Sequence, residues 1–357
     1  MKLKLFQEHL QEKDIDFAFF HNLESIEFDP NIFYFSRYTG AGVLLIPKSG
    51  KPVLIVPGLD ELRAKKTSMQ VVVWGKKRLF EVIDNVIINN HWKKENVGID
   101  ESKTSVFWQK MIKKNITRKI ADVKEKIVSL RREKTKEEIE ILKESCKIKC
   151  AIFEKTLDNF STFKTESDLA AYFQYLAAKK GFALSFPTIV GSGKNASFPH
   201  HETANTKLQK GFCVIDCGIR YKHYCTDMTR TIFIGAPSKK EKEIYQKIRD
   251  VQESVMNLYQ IGAKTKDLDL FVRKKLGNLE RFFNHGLGHG VGLDVHEAPS
   301  IGTRSKEVLQ EFDYVTNEPG IYLPNKLGIR IEDDVLITKE GPEVLTKYCT
   351  KDLRVFK

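Results

Sequence analysis

The sequence predicts an α/β domain at the N-terminus followed by a larger α+β domain, on three observations. Up to about residue 125, strand-type runs alternate with helical patterns, as a layered α/β domain requires. A charged stretch, ADVKEKIVSLRREKT, then interrupts the pattern over 121–135. Beyond residue 185 the texture shifts to Gly, Pro, His and short β-type runs broken by helices. A length of 357 residues suits two domains of roughly 150 residues or more each. We place the boundary so that the domains are 1–127 and 128–357.

The N-terminal elements follow in order. MKLKLFQEHLQEKD is an amphipathic helix with Leu3, Phe6 and Leu10 on its apolar side. DFAFF is the first strand. VLLIPKSGKPVLIVPG is two apolar runs around Lys48-Ser49-Gly50-Lys51, a hairpin signal. VVVW (71–74) and NVGID (96–100) read as further buried strands, and RLFEVIDNVI and SVFWQKMIKK have helical spacing. This half has no phosphate-cradling glycine loop and no clustered His or Cys.

In the second domain, Thr135 followed by Glu138 has the spacing of a capping box. Ile139, Leu142, Cys146 and Phe153 then give one apolar helical face, on which Cys146 and Cys150 read as core thiols. SDLAAYFQYLAAKKG is a helix that Gly181 would cap. Further helices are expected at about 239–260 and 265–276. Six of the nine histidines lie between positions 200 and 296, so the chemistry is expected there.

Composition narrows the function classes. With 41% hydrophobic and 30% charged residues, the chain has the make-up of a soluble globular protein. No apolar run reaches the roughly 18 residues that span a bilayer, and the opening lacks the apolar core of a secretory signal. A cytoplasmic location without membrane partners is expected. Six cysteines without a CxxC pair suggest free thiols. The net charge of +12 is spread over both halves among acids and apolar residues. That is a solvated surface, and no nucleic-acid partner is expected.

Four segments carry chemistry. In GFCVIDCGIRYKHYCTDMTRTIFIG, a hairpin centred between Tyr221 and Lys222 would set Asp216 opposite Asp227. Cross-strand partners lie roughly 5 Å apart and like charges there repel, so a cation is expected between them. In NHGLGHGVGLDVHEAP, His285 and His289 have the spacing of a zinc-binding helix. The interleaved glycines argue instead for a bend that passes close to a site. In VTNEPGIYLP, Glu318 precedes a Pro-Gly turn. GIRIEDDVLIT reads as one strand with Arg330, Glu332 and Asp334 on one face. An acid in so apolar a strand is paired or binds metal if buried. Four carboxylates and one imidazole exceed what a tetrahedral zinc needs. They suit two divalent ions sharing ligands. Mn²⁺, Co²⁺, Fe²⁺ and Zn²⁺ all fit such a donor set.

The set Asp216, Asp227, His289, Glu318 and Glu332 resembles that of the pita-bread metallopeptidases. These include methionine aminopeptidases, proline dipeptidases and Xaa-Pro aminopeptidases. SFPTIVGSGKNASFPH, HGLGHGVGLDVHE and GIRIEDDVLIT are similar to segments of the proline-specific branch. The resemblance implies a creatinase-like α/β N-terminal domain and a pita-bread (creatinase/aminopeptidase-like) catalytic domain. It also implies two divalent metal ions, Mn²⁺ or Co²⁺ before Zn²⁺ or Fe²⁺, held by those five residues. Glu318 would shuttle a proton, and His200 and His296 would donate to the tetrahedral intermediate. Phe186, His285 and Arg330 would bind substrate or orient the ligands. Substrates would be peptides with proline second, and the assembly a homodimer. Ser300 stands where many proline dipeptidases carry an arginine for the substrate carboxylate, which favours an Xaa-Pro aminopeptidase over an Xaa-Pro dipeptidase. Arg304, close by, keeps the dipeptidase open. An inactive peptide- or nucleic-acid-binding module is the remoter alternative. Cys217 and Cys225, beside two acids of the set, suggest an oxidation-sensitive site.

Overall fold

The computed structural model describes residues 1–23 and 28–357. They form two compact units, Met1–Arg131 and Arg132–Lys357. In the first, the strands are β1 (Phe17–Asn22), β2 (Gly42–Pro47), β3 (Val53–Pro57), β4 (Gln70–Trp74), β5 (Val97–Ile99) and β6 (Ile120–Asp122). They make one mixed sheet in the order β4-β3-β2-β1-β5-β6. Helices α1 (Lys2–Glu12), α2 (Pro30–Ser36), α3 (Glu61–Ala64), α4 (Leu79–Asn89), α5 (Val106–Asn115) and α6 (Lys124–Arg132) accompany it.

Successive strand residues point to opposite faces, so this sheet needs a cover on each side. Ala18, Phe20, Leu44, Ile46, Leu54 and Val56 pack with Phe6 and Leu10 of α1 and with Ile127 and Leu130 of α6. Their neighbours Phe17, Phe19, Val43, Leu45, Val53 and Ile55 pack with α4 and with Trp108 and Ile112 of α5. The result is helix, sheet, helix in three layers. The run 71–74 is not fully buried as expected: β4 is the edge strand, with partners on one side only, and its residues are half-buried or exposed. The charged stretch 121–135 contains helix α6, and the two units divide within it, between Arg131 and Arg132.

The second unit opens with α7 (Lys136–Asp158) and α8 (Glu166–Lys179). The Thr135 side chain accepts from Glu138 N, and Glu138 reaches back to Thr135 N, which closes the capping box. Strands β7 (Ala183–Leu184), β8 (Ile189–Ser192), β9 (Gly211–Asp216), β10 (Ile219–Tyr221), β11 (Tyr224–Cys225) and β12 (Thr229–Ile234) follow. After α9 (Lys239–Met256) and α10 (Thr265–Leu276) come β13 (Gly288–Gly290), β14 (Glu297–Ile301), β15 (Tyr314–Asn317), β16 (Gly320–Leu323), β17 (Leu327–Arg330), β18 (Asp333–Thr338), β19 (Gly341–Val344) and β20 (Val355–Phe356).

The sheets run β20-β12-β9-β8 and β14-β13-β15-β18-β19, with small sheets β11-β10-β7 and β16-β17. Cys213, Ile215, Ile232 and Ile234 of β9 and β12 pack under α7 and α8. Phe212 and Phe233, on the opposite face, join the core of α9, α10 and β15 to β18. That second face also carries Asp216 and Thr229, so the pleat turns both toward the side of the α9–α10 core. Among the described residues, no helix is long and apolar enough to cross a membrane.

Candidate metal centre

The hairpin that carries Asp216 and Asp227 turns one residue later than the sequence suggests, which shifts every cross-strand partner by two. Tyr221 pairs with Tyr224, so the loop is Lys222-His223, and both have positive φ, 47° and 72°. Paired positive φ values match the twist of the flanking strands, as in a type I′ turn. Asp216 therefore faces Thr229, not Asp227. Asp227 sits in the irregular stretch 226–228 between β11 and β12.

Four of the five candidate ligands lie close together. Ligand atoms of Asp227, His289 and Glu332 all lie within 4.8 Å of one another. His289 Nε2 is 3.8 Å from Asp227 Oδ2 and 3.3 Å from Glu318 Oε1. Asp216 lines the same cavity as Asp227, about 610 Å³ in volume, together with Phe186, Ile189, His200, Val295 and His296.

Each side chain is aimed by local structure. His289 is the centre of β13, whose flanking glycines let neighbouring backbone come close. A Cβ on Gly288 would lie 2.4 Å from Thr316 O, and one on Gly290 would lie 2.1 Å from Ala298 O. The expectation of a bend over a helix thus resolves as a short strand. His289 Nδ1 donates to Gly290 O at 3.0 Å. That bond fixes the neutral tautomer and leaves the Nε2 lone pair facing the carboxylates. Burial, then His296, lowers the imidazole to about 4, so it stays neutral.

Glu318 leaves β15 just before Pro319 and accepts from Thr316 Oγ1. Burial pushes its carboxyl up to about 8. Glu332 accepts from Thr229 Oγ1 at 2.7 Å. GIRIEDDVLIT is two strands, not one: β17 pairs with β16 and β18 with β15, and the chain breaks step at Ile331-Glu332. The break frees the three neighbouring acids and Arg330 to find separate partners. Asp333 binds Arg230, Gln252, Thr346 and Lys351. Asp334 binds Lys149. Arg330 bonds Asp216 Oδ2 at 2.6 Å, not Glu332.

The donor set fits a divalent cation. Asp216 Oδ1 and Asp227 Oδ1 are buried without a hydrogen-bond donor among the described residues. Burial, then Glu332 and Asp216, raises the Asp227 carboxyl well above the ordinary range. Burial, then Glu318 and Asp216, does the same to Glu332. Repelling buried carboxylates with orphaned oxygens are what a cation would offset.

The remaining candidates divide. His200 is exposed to the cavity, and the His296 ring stands 4.3 Å from that of His289. His201 is tied back to Glu166 at 2.8 Å, whereas His200 is the exposed imidazole of the pair. His285 donates from Nδ1 to Gly286 O, and its Nε2 faces Tyr322 OH, which takes a bond from Arg330. His285, Ser300 and Arg304 line a neighbouring cavity of about 790 Å³, so Arg304 is not in the cavity of Asp216 and Asp227. All six cysteines are free and buried. Burial raises the Cys225 thiol to about 11 and Cys217 well above its usual value. Buried neutral thiols are inert, which counts against oxidation at these two positions.

The sequence reading passes over Glu166. This fully buried carboxylate takes bonds from Ser192 N, Ser192 Oγ, Asn195 Nδ2 and His201 Nε2. It pins the segment that ends in His200. Hydrogen bonds to a charged group contribute about 1.5–3 kcal/mol each, net. Glu166→Gln places an amide against four donors and is expected to cost about 2 kcal/mol, read from the urea midpoint. An unchanged midpoint would remove Glu166 from this role.

The fold and the clustered carboxylates with one neutral imidazole define a metal-dependent hydrolase. The chain belongs to metallopeptidase family M24, which it matches over residues 140–339. Residues 2–132 match the creatinase/prolidase N-terminal domain. The chain is 34% identical to an Xaa-Pro dipeptidase from Pyrococcus furiosus over 89% of this chain and 91% of that one. It is similar in structure to an Xaa-Pro dipeptidase from Bacillus anthracis (TM-score 0.90, 31% identity, 99% of each chain). It is also similar to an X-Pro aminopeptidase from Thermotoga maritima (TM-score 0.88, 31% identity, 96% of this chain and 98% of that one). The protein is a metallopeptidase with a creatinase-type N-terminal domain and an M24 catalytic domain.

Proposed function

We propose that the protein is an Xaa-Pro dipeptidase that uses two divalent ions held by Asp216, Asp227, His289, Glu318 and Glu332. The observation that carries this reading is the match to dipeptidases over nearly the whole length of both chains. Bound there, such ions supply Lewis acidity toward a carbonyl and lower the pKa of water. The chain's own groups do the rest. Phe186, Pro187, Ile189 and Val295 offer an apolar wall for a proline ring. His200 and His296 line the same cavity and would donate to a developing oxyanion. Glu318, 3.3 Å from His289, would carry a proton from water to the leaving nitrogen. Homodimer assembly, a cytoplasmic location and the choice of Mn²⁺ or Co²⁺ belong to the same proposal and rest on the resemblance.

An Xaa-Pro aminopeptidase is the second reading, and one observation favours it. A dipeptidase gains from a cation for the substrate's free carboxylate. Position 300 is serine, and no Lys or Arg is among the described residues lining the cavity. The reading that Ser300 suggests therefore yields to the relatives, without being discarded. A panel of Xaa-Pro dipeptides and Xaa-Pro-Xaa tripeptides, with Mn²⁺ or Co²⁺ added, decides between them. The dipeptides are expected to lead in kcat/KM by at least about tenfold, or ~1.4 kcal/mol of discrimination. A tripeptide lead of that size would make the protein an aminopeptidase.

A further inference from the structure

Lys149 lies within α7, on a helix whose sequence reads only as core, and it is completely buried. Its Nζ donates to Asp227 O at 2.6 Å and to Asp334 Oδ2 at 2.9 Å. Asp334 Oδ2 in turn accepts from Asp227 N at 3.0 Å and from Cys146 Sγ at 3.4 Å. Both main-chain polar groups of Asp227 therefore end on one buried ion pair. Asp227 needs this support. It sits between β11 and β12, outside any ladder, and these are the two main-chain hydrogen bonds it makes among the described residues.

A buried ion pair is costly to desolvate, and a well-packed apolar pair often serves stability as well. A lysine here carries a second cost. Its positive charge stands behind a cluster of carboxylates that would attract divalent cations, and by charge alone it weakens that attraction. What the ammonium supplies is geometry: a second donor bond to a residue whose other bond is already on Asp334.

We propose that Lys149 is a positioning residue for the metal centre: with Asp334 it brackets the main chain of Asp227 and so aims that carboxylate at the cation. The inference rests on the reading of Asp227 as a ligand. Charge and position predict opposite signs, which makes it testable. Loss of the cation by itself would tighten Mn²⁺ binding; loss of the bracket would weaken it.

The experiment titrates metal-free full-length protein with Mn²⁺ by calorimetry, for the wild type and for Lys149→Met, Lys149→Gln and Asp227→Asn. Lys149→Met fills the space without a donor and is expected to bind Mn²⁺ at least about tenfold more weakly, within the range for partners behind a ligand. Lys149→Gln has the same charge as Lys149→Met and restores an N–H donor, so its affinity is expected to lie between Lys149→Met and wild type. Equal or tighter binding by Lys149→Met overturns the proposal. If Lys149→Met does not fold, Lys149→Gln decides on the same sign. If neither folds, Lys149 builds the core and the proposal also falls. Asp227→Asn separates the two levels. Wild-type Mn²⁺ binding by that variant would sink the ligand assignment itself, whatever Lys149 does.

Discussion

Asp227→Asn is expected to lower kcat/KM by more than about 10³-fold, beyond the 10–100-fold typical of partners that only support a ligand. The substitution keeps the shape and the main-chain bonds to Lys149 and Asp334, which do not involve the altered atoms. It removes one negative charge and turns an acceptor into a donor facing His289 and Glu332. The effect on stability has the opposite sign. Burial and the neighbouring Glu332 and Asp216 raise the Asp227 carboxyl, so ionising it costs the metal-free fold stability. For an acid with a raised folded value, that loss begins as pH rises past its unfolded value and is complete above the raised one. At pH 8, metal-free Asp227→Asn is therefore expected to melt at or above the wild-type temperature. Mn²⁺, which stabilises the wild type by binding the folded state, is expected to do little for the variant. A variant that melts well below wild type without metal would mean that Asp227 holds the fold and not a cation.

How much of this is legible in the sequence depends on how far apart the interacting groups lie. The three-layer N-terminal unit is written in local alternation: neighbours such as Phe19 and Phe20 go to opposite faces and meet different helices. The start of α7 is equally local, because Thr135 and Glu138 complete each other within one turn. The residue types of the metal site were legible because acids and imidazoles in glycine-rich or apolar runs need a reason. Their arrangement was not. The register of β9 with β12 turns on Lys222 and His223, two ordinary side chains that adopt positive φ where sequence reasoning looks for Gly or Asn. The step at Ile331-Glu332 is invisible in a run of strand formers, since it is imposed by two different pairing strands. Lys149 and Glu166 were missed for a related reason. Their partners lie 185 and 35 positions away, at Asp334 and His201, and only the folded chain reveals that these buried charges are satisfied.

Arg330 joins more of the site than any helix or strand pattern suggests. Its guanidinium donates to Asp216 Oδ2, Thr229 Oγ1, Tyr322 OH and Pro199 O. It thereby connects one candidate ligand, the residue that supports Glu332, the partner of His285 and the segment that presents His200. A rigid planar fork can meet these directions together, while an ammonium on a flexible stem cannot. Breaking a buried pair by removing one partner costs about 3–5 kcal/mol, because the other charge is left uncompensated. Arg330→Met is accordingly expected to destabilise the metal-free protein by about 3 kcal/mol or more, a fall in Tm of about 6–12 °C. Two further measurements separate the uncompensated charge from lost packing. Adding Asp216→Asn to Arg330→Met should recover part of the loss, so that the double variant costs less than the sum of the singles. Saturating Mn²⁺ should also restore part of it, because a cation bound by Asp216 takes over the neutralising role. Arg330→Lys keeps the charge but not the fork, and is expected to remain at least about 1 kcal/mol below wild type. If Arg330→Lys matches wild type in both stability and kcat/KM, the charge alone suffices, and the view that this one side chain sets the geometry of the site is wrong.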